Sequence, residues 1–525
     1  MPSRNLSRRV LGSDRAAKMQ TVVMEWQEVK AGGRAKTREE MPAGAAAAVL
    51  SPENKGPVTG EWHDERCYRS DKRQRTAPES ERKVNKKSGD RHSQHSCAQI
   101  LIKCPNIQYT HLLSSSTFQV INSILPNILP SILSSIFPIF PNIPIKPTTM
   151  TNTSTPTTQT ALVCAGAGEY LLAKGVQVVS PPPPGMLLCA VKAVALNPAD
   201  WKMVDFSATA EFIGGHEFAG DVVQVGAGVE GFAVGDRVLA PVPGLFGAII
   251  DDSNKDSPMA RSKAGAFCEY VPVAVDMVVR LPESMSYEDA AGLSVVTYAA
   301  GLALYQTLQL PLPSVEPRPD AETAAAKPTY VLVSGGASAS GTIAIQLLKA
   351  SGLAPIATCS PDNRDMLLAL GAVETFDYHN ASCGMEIRNY TQNSLAHVID
   401  CVTQAESMKL SYEAIGSAGG RYIALDPFPT RIQYSRREVQ ADWIMGPTLF
   451  GEAVKLAGTY GRPARPQDRL FTSRLFGLVE RMLAAGTLKP HPVELRTGGL
   501  SAVTQGIEDL RMGRVRARKL VYPVV

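Results

Sequence analysis

A glycine-rich turn between two apolar runs constrains the fold of this chain more than any other feature. Residues 330–333 form an apolar run typical of a buried parallel strand, residues 334–341 include three glycines, and residues 342–349 have the pattern of a helix. The first amides of such a helix point toward the turn, where they bind anionic groups. The segment therefore predicts a cradle for the phosphates of a dinucleotide, although its spacing, G-G-x-x-x-x-G, differs from the usual G-x-G-x-x-G.

Three further apolar segments follow the glycine turn at the spacing of βαβ units. They lie at residues 354–359, 397–401 and 420–425, with helical patterns between them. The first ends about 20 residues beyond the glycines, where the residue that reads the adenosine ribose lies in dinucleotide-binding folds. The sequence therefore predicts a Rossmann-type, doubly wound parallel sheet.

The region before this sheet predicts a second, β-rich domain. Residues 187–196 have the pattern of an apolar strand, and glycines punctuate the short apolar segments at 214–226 and 235–238. Short strands separated by glycine turns are typical of a compact barrel.

The first 157 residues are predicted to form a disordered extension. Residues 1–103 carry 21 Lys and Arg against 13 Asp and Glu, and they lack the periodic apolar residues of a core. The basic cluster at 82–87 could bind nucleic acid, but charged runs in such tails are usually solvated, so no nucleic-acid partner is expected. The uncharged stretch at 105–145 contains prolines that break a membrane helix, and it begins too far into the chain for a signal peptide. We therefore expect no membrane partner and a physiological start at or near Met150.

Four motifs give the chain a specific family resemblance. They are N-P-A-D-x-K at 197–202, G-H-E-x-A-G-x-V-x-x-V-G at 215–226, G-D-R-V at 235–238 and the glycine turn. In this order they resemble the medium-chain dehydrogenase/reductase superfamily, from about residue 161 to the C-terminus. Within it, five further segments closely resemble the trans-acting enoyl reductases of fungal polyketide synthesis, of the lovastatin enoyl reductase type: residues 310–314, 356–363, 376–378, 426–429 and 446–452.

The resemblance implies a substrate domain that is split in sequence. A GroES-like barrel would consist of residues 158–295 and 440–525, and an NADPH-binding Rossmann domain over residues 296–439 would lie between these two parts. A helix over residues 287–305 would pass along the cleft. The expected fold class is thus α/β, a GroES-like β-rich barrel plus a Rossmann doubly wound parallel sheet, with the disordered extension at residues 1–157.

The G-H-E motif raises the question of zinc. His216 and Glu217 stand where the zinc alcohol dehydrogenases of the superfamily have a metal-binding histidine, but the position of their first cysteine ligand is Asn197 here. Catalytic zinc needs three protein ligands, so we expect no metal and treat His216 as a packed or hydrogen-bonded residue at the barrel's edge. Nor does the sequence predict a structural zinc site, because Cys268 is the only cysteine between residues 189 and 359. The nine dispersed cysteines contain no C-x-x-C pair, which favours a reducing, cytoplasmic location.

The end of the predicted strand at 354–359 favours NADPH over NADH. Enzymes that use NAD place an acid there to bind the ribose, whereas this strand is followed by Ser360, with Asn363 and Arg364 available to bind a 2′-phosphate. Asp362 is a contrary sign, and Asp362 and Asn363 could instead cap the next helix. The cofactor-binding residues implied by the resemblance are Ala199, Asp200, Trp201, Lys202, Ala337, Ser338, Ala339, Ser340, Ser360, Pro361, Asp362, Asn363, Tyr378, Leu425, Asp426, Val515 and Arg516.

The implied reaction is hydride addition to the β-carbon of an α,β-unsaturated thioester. The catalytic candidates are Lys202, whose ammonium could contact cofactor or substrate, and Thr297, whose hydroxyl could lie near the nicotinamide amide. No candidate is an obvious general acid, so the proton for the α-carbon is expected from solvent. Asp426 replaces an asparagine that relatives often carry, and a carboxylate near the nicotinamide is unfavourable. The substrate-binding candidates are Tyr298, Ala299, Ala300, Gly301, Leu302, Ala303, Leu304, Tyr305, Met445, Gly446, Pro447, Thr448 and Leu449.

Three functions share this fold. The resemblance implies an enoyl reductase of secondary metabolism that receives its substrate on the acyl carrier protein of a polyketide synthase. A free-standing quinone or 2-alkenal reductase would have the same cofactor and zinc-free chemistry, and a catalytically silent binding protein is the third hypothesis. Five positive charges at residues 511–519 could attract an acidic carrier protein or could form a solvated helix end. A monomer and a homodimer are both compatible with the sequence.

Overall fold

The computed structural model describes residues 155–206, 210–250, 263–314 and 327–524, which lie in one compact unit. The predicted disordered extension lies outside the described residues except at its end. Among the helices in these ranges, none is both long and apolar enough to cross a bilayer.

Strands and helices alternate in the central part of the chain, whereas strands dominate on either side. The strands in chain order are β1 (Thr158–Gly166), β2 (Glu169–Gln177), β3 (Met186–Ala195), β4 (Glu217–Val225), β5 (Arg237–Pro241), β6 (Tyr270–Ala274), β7 (Val279–Arg280), β8 (Tyr330–Ser334), β9 (Ala354–Cys359), β10 (Glu374–Asp377), β11 (His397–Asp400), β12 (Gly420–Ala424), β13 (Val439–Trp443), β14 (Val493–Leu495) and β15 (Lys519–Pro523). The α-helices are α1 (Pro198–Phe206), α2 (Tyr287–Ala290), α3 (Ser294–Gly301), α4 (Ala339–Ala350), α5 (Arg364–Leu370), α6 (Cys383–Tyr390), α7 (Ala405–Ala414), α8 (Thr430–Gln433), α9 (Pro466–Ala484) and α10 (Gly499–Arg511).

A mostly antiparallel, seven-stranded sheet joins two distant parts of the chain. Its strand order is β14-β15-β3-β4-β5-β7, and β6 also pairs with β3, while β1 and β2 form a separate hairpin. Val521 of β15 lies opposite Ala195 of β3, so the C-terminal segment completes a sheet that begins before residue 200. This sheet forms the barrel domain.

The second sheet is parallel and has the order β10-β9-β8-β11-β12-β13. Helices cover both faces of such sheets, which explains why β8 and β9 are mostly apolar. The strand order reverses between β8 and β11, and ligands bind outside the carboxyl ends of the strands at such a switch point. Because β13 extends to Trp443, the sheet continues beyond residue 439, where the sequence placed its boundary.

The predicted helix over residues 287–305 is interrupted. The helices α2 and α3 are separate, and a π-helix at Leu302–Thr307 directly follows α3. Ser294 Oγ and the Val295 amide both donate to Glu217 Oε2, at 3.0 and 2.8 Å. This carboxylate supports a new helix N-terminus at α3, which local sequence periodicity does not reveal.

One cluster of buried side chains joins the barrel to the parallel sheet. It includes Leu239 of β5, Val333 of β8, Ile345 of α4 and Val479 of α9. Because α3 packs against α4 beside the parallel sheet and against β5 of the barrel, it lies between the two domains.

Candidate active site

The turn after β8 has room only for glycine where it bends toward α4. Gly335 has a φ of 78°, in the left-handed region that favours glycine. A Cβ on Gly341 would lie 2.5 Å from the carbonyl oxygen of Gly335 and 2.7 Å from that of Gly336. Ser338 Oγ caps α4 by accepting a hydrogen bond from the Gly341 amide at 3.1 Å. The 12-residue helix α4 therefore begins at a tight turn of closely packed backbone, and helix N-termini in such turns can bind phosphate. The predicted cofactor residues in this turn are Ala337, Ser338, Ala339 and Ser340.

The loop after β9 contains the residues predicted to recognise a 2′-phosphate. The turn Pro361–Asn363 follows Ser360, and Asn363 Nδ2 donates to Ser360 Oγ at 2.9 Å instead of capping α5. The last residues of β9 and β10 lie opposite each other, so Ser360 and Tyr378 leave the sheet side by side. Tyr378 is 46% exposed, and Asp362 is also exposed. Hydroxyl and amide groups thus gather at this corner of the sheet.

Arg364 makes its contacts within the protein. Its guanidinium lies 2.7 Å from Glu374 Oε1 and donates to Thr375 Oγ1 at 2.9 Å. The prediction that Arg364 pairs with a 2′-phosphate is therefore not supported, because its charge already has a partner. Glu374 lies on the neighbouring strand, and this pairing follows from the parallel register, which the sequence alone does not give.

An ion pair spans the cleft between the two domains. Lys202 of α1 donates to Asp426, which follows β12. The two side chains are 33% and 43% exposed, and Lys202 Nζ also lies 5.7 Å from the centroid of the Trp201 ring. The structure thus joins the predicted catalytic lysine to the carboxylate that the sequence marked as unfavourable. Leu425, beside Asp426, packs against the shared core.

Helix α3 contributes Thr297 and Tyr298 to the interior. Thr297 is 1% exposed, and its Oγ1 has no hydrogen-bond partner among the described residues. Buried hydroxyls are nearly always paired, so this atom marks a place for a further donor or acceptor. A Cβ on Gly446 would lie 3.5 Å from the Tyr298 hydroxyl and 3.9 Å from Phe246 Cζ. Tyr298, Phe246 and Gly446 therefore lie close together.

Most of the predicted acyl-pocket residues after Tyr298 belong to the core. A Cβ on Gly301 would lie 2.2 Å from Leu475 Cδ2 of α9, and the Tyr305 hydroxyl lies 3.1 Å from Ser351 Oγ. Because only one side of a helix can face a bound acyl group, we do not expect every residue of this continuous run to contact it, and the assignment stays a prediction. The buried residues of this run are Ala300, Gly301, Leu302, Ala303, Leu304 and Tyr305. Ala299, Met445 and Gly446 are partly exposed, whereas Pro447, Thr448 and Leu449 are buried.

A buried polar cluster lies beneath α1. Asp200 is 0% exposed, its Oδ2 accepts a hydrogen bond from the Asn197 amide at 2.6 Å, and its Oδ1 lies 3.8 Å from His216 Nε2. Burial raises the pKa of Asp200 to about 8 and lowers the pKa of His216 to about 4, so both are uncharged at neutral pH. One carboxylate oxygen of Asp200 is thus held by the Asn197 amide, and the contact between Asp200 and a cofactor stays a prediction. Its neighbours Ala199 and Trp201 are partly exposed.

Glu217 and Lys519 form a buried ion pair in this cluster. Lys519 Nζ lies 2.9 Å from Glu217 Oε1, and Asn197 Nδ2 donates to the same oxygen at 2.9 Å. Asn197 Oδ1 accepts a hydrogen bond from Lys519. Asn197, which occupies the position of the zinc enzymes' first cysteine ligand, therefore binds Glu217 and Lys519. The side chains of this cluster do not fit a catalytic zinc. Within the described ranges, no three His, Cys, Asp or Glu side chains are placed to hold a metal, and the absence of zinc stays a prediction.

Phe246 is a site residue that no sequence motif indicated. The centroid of its ring lies 4.1 Å from that of the His216 ring, and its Cζ would lie 3.9 Å from a Cβ on Gly446. The one sequence feature that could have indicated this contact is Gly244, since a Cβ at that position would lie 2.9 Å from His216 Nδ1. A glycine two residues before an aromatic residue is too common to have predicted this contact.

The C-terminal basic run is largely paired with acidic groups. Arg511 and Arg514 each lie 2.8 Å from an aspartate oxygen, and Lys519 is the buried partner of Glu217. Three of the five positive charges in the run therefore have acidic partners within the protein, and its attraction of a carrier protein stays a prediction. Arg516 is exposed, and Val515 packs partly buried against the barrel core.

Two family models match the two domains. The model described as "Alcohol dehydrogenase GroES-like domain" matches residues 183–283, which contain β3 to β7. The model described as "Zinc-binding dehydrogenase" matches residues 339–425, which extend from α4 to the end of β12. Together they confirm the predicted fold class.

Curated relatives and solved structures cover the described part of the chain. A trans-enoyl reductase of Gibberella fujikuroi is 46% identical over 366 residues, which are 69% of this chain and 99% of the relative. Trans-enoyl reductases of a Penicillium species and of Botryotinia fuckeliana are 44% and 39% identical, each over 70% of this chain and 99% of the relative. The CurK enoyl reductase structure has a TM-score of 0.54 at 18% identity, over 70% of this chain and 99% of its own. An alcohol dehydrogenase superfamily protein from Novosphingobium aromaticivorans has a TM-score of 0.55 at 20% identity, over 70% and 100%.

Proposed function

Because this chain belongs to the trans-enoyl reductases of the medium-chain dehydrogenase/reductase superfamily, we propose that it reduces the α,β double bond of a polyketide enoyl thioester with NADPH. Membership makes it an oxidoreductase that acts on C=C bonds with a pyridine nucleotide and serves a polyketide synthase. The acyl carrier protein of that synthase is the proposed carrier of the substrate.

The glycine-only turn before α4 is the observation that carries this proposal. A Cβ on Gly341 would overlap two carbonyl oxygens, so the backbone packs closely beside the helix N-terminus. Ser338 Oγ already occupies the Gly341 amide, whereas the amides of Ala339 and Ser340 precede the first intrahelical hydrogen bonds of α4 and would bind the cofactor's pyrophosphate. When bound, the nicotinamide supplies the hydride that adds to the β-carbon.

The polar corner at the ends of β9 and β10 supports NADPH as the cofactor. Ser360, Asn363 and Tyr378 supply hydroxyl and amide donors there, and β9 ends in Cys359 rather than in an acid. Such donors suit the oxygens of a 2′-phosphate, whereas a carboxylate would repel them. Since Arg364 is paired with Glu374, these three side chains would carry the recognition.

Thr297 and Lys202 supply polar groups for the reacting end of the cleft. The unpartnered Thr297 hydroxyl can donate and accept, which matches the two ends of a carboxamide. The Lys202 ammonium has three donors, of which Asp426 takes one. The others would stabilise the thioester carbonyl oxygen, where negative charge develops as the hydride adds. The proton for the α-carbon would come from solvent.

A direct assay tests this function. The full chain is incubated with NADPH and the crotonyl thioester of N-acetylcysteamine, and nucleotide oxidation is followed by absorbance. We expect oxidation with the enoyl thioester, none with the saturated butyryl thioester, and a much slower reaction with NADH. A second assay supplies the same acyl group on an acyl carrier protein, from which we expect faster turnover.

Three results would contradict parts of this proposal. Absence of oxidation with both soluble and carrier-bound enoyl thioesters would remove the reaction. Equal rates with NADH and NADPH would contradict the proposed preference for NADPH and leave the proposed reaction unchanged. Equal turnover of soluble and carrier-bound substrate would remove the role of the carrier protein.

A further inference from the structure

The ion pair between Lys202 and Asp426 connects the domains at one end of the cleft. Asp426 follows β12, and the phosphate-binding turn follows β8, with β11 between these strands. Because neighbouring strands are about 4.8 Å apart, the end of β12 is about 10 Å from the end of β8 along the sheet. Asp426 therefore holds the Lys202 ammonium at a distance from the turn that binds phosphate.

The charges in the cleft explain why this placement matters. A lysine side chain is long and flexible, and the phosphates of a bound dinucleotide would attract its ammonium across the partly exposed cleft. An asparagine at position 426 would offer Lys202 a hydrogen-bond acceptor but no charge. The carboxylate of Asp426 neutralises the lysine and competes with those phosphates for it.

Resting on the proposed function, we propose that Asp426 is a positioning residue that anchors Lys202 at the end of β12, beside the acyl group and away from the cofactor phosphates. Lys202 is the group that contacts the substrate, and Asp426 acts through it. A bond that merely tied the domains together would predict losses of stability and of binding together.

Cofactor binding provides a test that needs no turnover. NADPH is titrated by nucleotide fluorescence into the wild type, Asp426→Asn, Lys202→Met and the double variant, at low and high KCl. We expect Asp426→Asn to tighten binding about two- to fivefold at low salt, the scale of a partly exposed ion pair. High salt and the Lys202→Met background should each abolish this gain, because both act on the lysine charge.

Turnover of the soluble enoyl thioester provides the second readout. We expect Asp426→Asn to lower kcat about threefold or more while KM for NADPH falls, again on the scale of one such ion pair. Asp426→Glu should restore most of kcat, since it returns the carboxylate. Adding Asp426→Asn to Lys202→Met should change kcat no further. The matched control is Glu211→Gln, which removes an exposed carboxylate 2.6 Å from Lys263 and should change neither readout.

The outcomes separate this inference from the proposed function. If the wild type binds NADPH but reduces no enoyl thioester, the proposed function is wrong. The NADPH affinities of the wild type, the two single variants and the double variant still decide whether Asp426 acts through Lys202. If Asp426→Asn weakens binding, or has equal effects with and without Lys202, the positioning role is overturned. Loss of thermal stability in Asp426→Asn together with loss of both kcat and binding would identify a structural bond and also overturn it.

Discussion

At the level of single residues, Asp200 and His216 determine part of the response of the protein to pH. Burial raises the pKa of Asp200 from 3.8 to about 8 and lowers the pKa of His216 from 6.5 to about 4. Between pH 4 and 6.5 the folded state holds one more proton at Asp200 and one fewer at His216, so their effects on stability oppose each other. Above pH 6.5 only the Asp200 effect remains, and stability falls as pH rises to about 8, because only the unfolded chain is ionised there.

We predict that Asp200→Asn flattens this alkaline decline. The amide oxygen can still accept the Asn197 amide hydrogen bond, but it cannot ionise in the unfolded chain. The wild type should lose about 2 kcal/mol between pH 6.5 and 8 relative to this variant. Thermal unfolding measured across that range checks this, with exposed Glu283→Gln as the control. Parallel curves for wild type and Asp200→Asn would show that Asp200 is already ionised in the folded protein.

Substitution of Thr297 distinguishes an effect on NADPH binding from an effect on the stability of the fold. We predict that Thr297→Val leaves the unfolding temperature unchanged, since the hydroxyl has no protein partner in the described structure, but weakens NADPH binding about fivefold. Thr472→Val is the opposite control, because Thr472 Oγ1 donates to the Asp468 carbonyl at 2.8 Å and its loss should affect stability only. Unchanged NADPH affinity in Thr297→Val would place the carboxamide elsewhere.

At the level of elements, the Glu217–Lys519 pair fastens three parts of the chain. Glu217 begins β4 and accepts hydrogen bonds from the start of α3, while Lys519 begins the C-terminal strand β15. The Glu217 side chain is 0% exposed and that of Lys519 is 6% exposed. A charge so deeply buried is costly without its partner.

We predict that Lys519→Met lowers the free energy of unfolding by about 3–5 kcal/mol, because it leaves the Glu217 charge without a counter-charge. The double variant Glu217→Gln/Lys519→Met should recover most of this loss. Chemical denaturation of the three proteins measures both effects. If the double variant is as unstable as Lys519→Met, packing of the lysine stem rather than its charge supports this region.

The elements that could be predicted from the sequence are those defined by local pattern. The apolar run at 330–333, the glycines after it and the helix pattern at 342–349 correspond to β8, the turn and α4. The start of α3 depends instead on Glu217, 77 residues before Ser294, and the Lys202–Asp426 pair joins positions 224 residues apart. The pairing of Arg364 with Glu374 and the burial of Asp200 could not be predicted for the same reason, since both are set by tertiary contacts.

At the level of the whole molecule, the relatives leave about three tenths of this chain unmatched. The Gibberella relative is covered over 99% of its length by 69% of this chain. We predict that a protein starting at Met150 folds and binds NADPH with the affinity of the full chain, because β1 begins only at Thr158. Fluorescence titration and thermal unfolding of both proteins check this, and a large drop in either would show that the extension packs on the domains.

The pairing of β15 with β3 also has a consequence for the order of synthesis. All six strands of the parallel sheet have left the ribosome soon after Trp443 is made, whereas the barrel lacks β14 and β15 until almost the last residue. Loop closure between β3 and β15 must wait for the intervening chain, so the nucleotide-binding half can fold first and the wall that carries Lys202 is completed last. A chain released after Trp443 but before Lys519 would contain every strand of the parallel sheet, while the barrel domain that carries Lys202 would lack β15.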